Sequence, residues 1–142
     1  MTALLEVRGL RSGYQGGVVL HGIDLDLAEG SVLAVLGRNG VGKSTLVSTL
    51  MGLVRPYAGS VRLRGEEIAG EPTDRIARRG VGLVPQGRRV FAPLTVAEHL
   101  AVAARGRPGP WDRDRVLDLL PRLGERLGHR GDQLSGGEQQ ML

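Results

Sequence analysis

The sequence has no cysteine, and aromatic residues make up only 3% of its 142 positions. The first absence excludes disulfides and thiolate metal sites, and the three histidines are scattered without metal-ligand spacing. The second leaves few platforms on which single-stranded nucleic acid stacks its bases. Long apolar runs are missing as well, none reaching the roughly 18 residues that a membrane-spanning helix needs. The opening Met1-Thr2-Ala3-Leu4-Leu5-Glu6 lacks the basic and apolar regions of a secretory leader. A cytoplasmic location is expected. Lysine is nearly absent too: Lys43 is the only one, and every other basic position is arginine.

What remains is ordinary globular material, 41% hydrophobic and 24% charged, enough for one domain or part of one. The net charge of +4 raises the question of nucleic acid. The arginines are dispersed, however, and read as a solvated surface. No nucleic-acid partner is expected.

The apolar pattern predicts short strands at Leu4 to Arg8 and Val18 to Leu20 around a Gly-rich turn, then an alternating, half-buried strand at Ile23 to Leu27. Together these suggest an antiparallel sheet. Val32 to Leu36 is continuously apolar, as in a central strand covered on both faces. Lys43 to Met51 has helical spacing with Gly52 as its stop. A strand at Ser60 to Arg64, a short helix at Thr73 to Arg79 and a strand at Val81 to Val84 follow. Beyond Pro85 the character turns helical, with helices over Thr95 to Ala104, Arg113 to Leu120 and Leu123 to Leu127, and an Arg105-Gly106-Arg107-Pro108-Gly109-Pro110 loop between the first two.

Gly37-Arg38-Asn39-Gly40-Val41-Gly42-Lys43-Ser44 matches G-x-x-x-x-G-K-S/T between an apolar run and a helix. Glycines let successive backbone N–H groups turn around an anion. The lysine then reaches the β and γ phosphates, and the serine hydroxyl ligates Mg²⁺. A compact ammonium and a planar guanidinium are not interchangeable in such a loop, which accounts for the lone lysine among arginines. Gly37, Asn39, Gly40, Gly42, Lys43, Ser44 and Thr45 are therefore expected to hold ATP. A second element, Leu134-Ser135-Gly136-Gly137-Glu138-Gln139-Gln140, carries capping-box spacing from Ser135 to Glu138 and two glycines that leave backbone N–H groups open.

The two motifs together resemble the ATP-binding cassette family, in which L-S-G-G-x-Q is the distinguishing element. That resemblance implies an α/β fold: a P-loop NTPase core with an antiparallel β subdomain over about residues 1 to 86, and a helical subdomain over about 87 to 142. It also implies dimerisation with a second such ATPase subunit, identical or a sister chain, in which Ser135, Gly136 and Gly137 meet the γ-phosphate held by the partner's loop. Tyr14 sits where the family places an aromatic that stacks on adenine. Gln86 sits where it places a glutamine that contacts Mg²⁺ and the attacking water and senses the membrane subunit. Lys43 and Gln86 are thus the expected catalytic residues, and Ser44 and Gln86 the expected metal ligands. Ile76 to Phe91, above all Gly87-Arg88-Arg89-Val90-Phe91, is similar to the branched-chain amino-acid importer subgroup. That likeness implies peripheral attachment to the inner face of the plasma membrane through permease subunits.

In the family an apolar strand ending in Asp-Glu and a later switch histidine follow the L-S-G-G-x-Q helix. The sequence stops at Leu142 and reads as C-terminally incomplete. Asp118 lies in a helix-period segment and does not stand in for the missing acid. ATP binding with little hydrolysis is therefore expected of these residues alone. The leading reading is the ATP-binding subunit of an importer for branched-chain amino acids or similar small polar solutes. The alternatives are a non-catalytic nucleotide-binding remnant and a soluble, non-transport ABC ATPase.

Overall fold

The computed structural model describes residues 3–104 and 109–142, so the Arg105 to Pro108 part of the expected interhelical loop lies outside the described residues. Two compact units divide between Leu83 and Val84.

The first unit is built on a four-stranded antiparallel sheet in the order β2-β1-β3-β4. Strand β1 (Ala3–Tyr14) and β2 (Gly17–Ala28) form one long hairpin, closed where Tyr14 pairs with Gly17. The sequence pattern had suggested shorter strands and a wider turn. Strand β3 (Ala58–Leu63) lies on the other edge of β1, and β4 (Glu66–Glu67) follows it. In β2, Ile23, Leu25 and Leu27 are half-buried and Asp24 and Asp26 exposed, the alternation expected of a strand with one face covered.

Strand β1 breaks that alternation. Val7 and Leu10 are both fully buried although three positions apart, because the register shifts between them. Gly9, at φ 55°, is the inserted residue, and Asp24 Oδ1 accepts its N–H at 2.6 Å. The bulge also fixes Gly59 opposite it. A Cβ at Gly59 would lie 2.6 Å from both Gly9 O and Leu10 Cα, so only glycine lets β3 approach there.

Helix α1 (Lys43–Leu50) covers the sheet through Leu46, which joins Val7, Leu10, Leu20, Val61, Ile68 and Ile76 in one core. Each such side chain contributes about 1.5–3 kcal/mol when fully buried. Helix α2 (Thr73–Arg78) supplies Ile76. Just after it, Arg79 donates to both carboxylate oxygens of Glu71, at 2.9 and 3.2 Å, and also pairs with Glu66 of β4.

The second unit is helical: α3 (Val96–Ala104), α4 (Arg113–Leu119), α5 (Pro121–Gly124), a 3-10 turn (Gly131–Gln133) and α6 (Gly136–Met141). Its core is Val96, Leu123 and Leu134, flanked by Leu100, Leu117, Leu120, Leu127 and Leu142. Polar caps set the helix starts. Glu98 accepts from Thr95 N and Oγ1 at 2.7 and 2.8 Å, and Asp112 accepts from Arg115 N at 2.9 Å.

Two expected strands are not formed. Val32 to Leu36 and Val81 to Val84 carry no ladder hydrogen bonds among the described residues. Val32 is 96% exposed, Leu36 88% and Val84 85%. An apolar run establishes that a segment suits burial, whereas a strand also needs a lateral partner for its N–H and C=O groups. No described segment supplies that partner.

Apolar surface left open in this way promotes association. The 142-residue chain is expected to enhance the fluorescence of a hydrophobic dye and to self-associate as its concentration rises, while retaining the antiparallel sheet. Val32→Thr combined with Val84→Thr should lower both signals, read by dye titration and light scattering. A monodisperse, dye-silent wild type would refute the expectation.

Candidate functional site

The expected nucleotide loop leads into α1 through Gly42, which caps the helix in the left-handed region at φ 101° and whose carbonyl accepts the first helical hydrogen bond, from Leu46 N at 2.8 Å. A Cβ on Gly42 would meet Leu20 Cδ2 at 3.0 Å and Val19 Cγ1 at 3.1 Å. Conformation and space thus both select glycine, and β2 sets the position of the loop's end. Gly37, Asn39 and Gly40 are exposed on the loop, with Gly40 also at positive φ.

Lys43, the first residue of α1, reaches back over its own loop. Its Nζ donates to Gly37 O at 2.6 Å and to Arg38 O at 2.8 Å. The ammonium is thereby held at the helix N-terminus, where the unpaired N–H groups and the helix dipole already favour negative charge. Ser44 is exposed beside it. Thr45, next in the helix, is buried at 6% exposure.

Behind the loop, Thr49 anchors the helix. Its Oγ1 donates to Thr45 O at 2.7 Å and lies 2.7 Å from Ser12 Oγ, with both side chains buried against β1. A cavity of about 360 Å³ also backs the loop, lined by apolar side chains such as Leu20, Leu33, Val35 and Leu46 together with Gly42 and Lys43. The polar groups suited to an anion are those of the loop and the helix start. Tyr14, at the tip of the β1–β2 hairpin, is 53% exposed, and its carbonyl accepts from Tyr57 Oη at 3.1 Å.

The other expected site residues belong to the second unit. Gln86 is exposed on the Pro85 to Ala92 segment. Ser135 caps α6 and forms a reciprocal box with Glu138: Ser135 N donates to Glu138 Oε2 at 2.8 Å, and Glu138 N donates to Ser135 Oγ at 3.2 Å. Gly137 has open space at its Cβ position, while Arg88 packs its guanidinium where a Cβ on Gly136 would go.

Sequence spacing revealed the Ser135–Glu138 box but not what holds Glu138. Arg126 Nε and Arg122 Nε lie 3.1 and 3.3 Å from Glu138 Oε1, and the residue is 8% exposed. These arginines come from α5 and the turn after it, so no local pattern marks them. Hydrogen bonds from Ser135 N and Ser135 Oγ, then the Arg126 guanidinium, hold the Glu138 carboxyl down to about 2.

A depressed carboxyl contributes stability above its ordinary value of 4.5 and loses it as pH falls toward about 2. Glu138→Gln should therefore lower the melting temperature by about 5 °C at pH 7. The gap between wild type and variant should close as pH falls from 4.5 toward about 2, monitored by circular dichroism. A gap that stayed constant down to that pH would show that ionised Glu138 does not hold the box.

Comparison with known proteins bears on the whole arrangement. The family model described as ABC transporter matches residues 20–142. The high-affinity branched-chain amino acid transport ATP-binding protein BraG of Pseudomonas aeruginosa is 43% identical over 135 residues, covering 92% of this chain and 58% of its own length. The macrolide export ATP-binding/permease protein MacB of Nitrosomonas europaea is 41% identical, covering 98% of this chain and 23% of its own. A solved structure titled as the ATP binding subunit of an ABC transporter superposes with a TM-score of 0.84 at 32% identity, covering 97% of this chain and 58% of that one. The chain thus spans less than two thirds of the length of these relatives. The matched span opens in β2 and runs to Leu142, so the Lys43 loop and the capped glycines of α6 both fall inside it, and the chain belongs to the ABC transporter family.

Proposed function

We propose that the chain is the nucleotide-binding part of an ABC importer subunit, with the Gly37 to Thr45 loop seating the triphosphate of ATP. The observation that carries this reading is Lys43, whose ammonium is held at 2.6 and 2.8 Å from two carbonyls of the glycine loop at the start of α1. Those bonds poise the charge where β and γ phosphates would exchange for the carbonyls. Tyr14 would stack on the adenine with its exposed ring.

The available oxygens fit Mg²⁺. The described residues hold no cluster of three or more His, Cys, Asp or Glu, so a divalent ion at the loop would draw on the Ser44 hydroxyl and phosphate oxygens; Gln86, in the second unit, is proposed as a metal contact on the family pattern alone. A few protein oxygens together with phosphate oxygens commonly hold Mg²⁺ beside nucleotides. Bound at the loop, Mg²⁺ would supply neutralisation of the negative charge on the phosphates that Ser44 and Lys43 help to hold. Ser135 and the backbone of Gly136 and Gly137 would meet the γ-phosphate of a partner subunit, and Gln86 would face permease subunits at the inner membrane surface.

Likeness to BraG and the Gly87 to Phe91 stretch favour import of branched-chain amino acids or similar small solutes. The 41% identity to MacB supports a second reading, in which the same nucleotide-binding part serves an exporter.

Binding of a fluorescent ATP analogue to the 142-residue chain in Mg²⁺ tests the core of the reading. Lys43→Ala should weaken affinity about 10- to 100-fold, the loss of one or two charge-assisted hydrogen bonds. Lys43→Arg should weaken it as well, since the planar guanidinium does not fit the loop. Undiminished binding by Lys43→Ala would exclude the loop as the phosphate seat.

A further inference from the structure

His99 is the fourth residue of α3, and its ring makes two hydrogen bonds. Nε2 accepts the Phe91 backbone N–H at 2.9 Å, and Nδ1 lies 2.8 Å from Thr95 O, the carbonyl one helical turn back. A nitrogen that accepts from an amide carries no hydrogen, so the ring is neutral and Nδ1–H donates to Thr95. The Phe91 ring lies against it, centroids 5.8 Å apart.

This contact matters because of what hangs from it. Among the described residues, Gln86 to Val90 make one hydrogen bond, the local Val90 N to Arg88 O at 2.8 Å. Moving upstream from α3, the His99–Phe91 bond is therefore the last hydrogen bond joining the Gln86 segment to a helix. Phe91 is also flanked by the packed turn: Asp132 N donates to Ala92 O at 3.2 Å, and a Cβ on Gly131 would lie 2.8 Å from Phe91 O.

We propose that His99 is a positioning residue that latches the Gln86 segment to α3 through the Phe91 amide, and that protonation of its ring opens the latch. An imidazolium has two N–H donors and no acceptor, so its Nε2–H would oppose the Phe91 N–H instead of receiving it. Imidazoles change charge between about pH 5 and 8, so the latch is closed at the upper end and lost as pH falls. Glu98, on the same helix, is held below the usual carboxylate range by the Thr95 backbone and hydroxyl, so it stays ionised. Arg88 and Arg89 belong to the latched segment. On the adjoining turn, Arg130 and Asp132 pair with each other at 3.3 Å, with His129 just before them. The functional meaning of the latch rests on the reading of Gln86 as a metal and water contact.

Amide hydrogen exchange of the 142-residue chain, followed by NMR from pH 5 to 8 and normalised to intrinsic rates, reads the latch directly. Phe91 protection should be about tenfold greater with the ring neutral, following the ring nitrogen shifts of His99 as a single-proton titration. His129→Gln should keep that dependence, whereas His99→Phe, which preserves an aromatic against Phe91, should leave protection low at every pH. Protection that is flat with pH in the wild type, or that follows His129, would overturn the proposal without recourse to any variant. ATP affinity measured in the same samples separates the two readings: loss of nucleotide binding would overturn the assignment of Lys43 and with it the role of Gln86, while the Phe91 titration decides the latch by itself.

Discussion

The first unit is organised by the docking of α1 onto β1, and the buried hydroxyl pair of Ser12 and Thr49 fixes that docking. Leu46 brings the helix to the sheet, but apolar contact is non-directional and leaves the helix free to slide. The 2.7 Å contact between Ser12 Oγ and Thr49 Oγ1, continued by the bond from Thr49 to Thr45 O, permits one axial position. A shift by one residue would strand two buried hydroxyls, at about 1–3 kcal/mol each. The first turn of α1, with Lys43 and Gly42, is thereby indexed to the sheet core. Precision at the loop is inherited from a polar contact two turns away.

Much of this was legible in the sequence because the determining signals are local. The Gly37 to Ser44 spacing, the alternation of Ile23 to Leu27 and the Ser135–Glu138 box each specify their own conformation within a few residues. The strands expected at Val32 to Leu36 and Val81 to Val84 were read from equally good local pattern and are not formed, because a strand is a property of two segments. Hydropathy reports which face seeks burial and is silent on who supplies the facing N–H and C=O groups. The bulge at Gly9 escaped for a related reason: the residues it serves, Asp24 and Gly59, are distant in sequence.

The second unit shows the same division. Its helix starts were readable from caps, while the arginines gathered on Glu138 and the ring of His99 over Phe91 were not. A histidine without metal-ligand spacing gives no signal in one dimension, yet in three it spans a helix and a loop. The Gly42–Lys43 helix start and the Ser135–Glu138 box thus take the local conformations their spacing specifies, and their supporting contacts come from elements that no motif marks.

Lys43 carries the only side-chain amine in the sequence, and the structure engages it with Gly37 O and Arg38 O. Amine-selective acylation of the side chains therefore addresses a single atom, at the mouth of the glycine loop. The chain carries a built-in, one-site chemical reporter, whose rate of modification registers what the loop is holding.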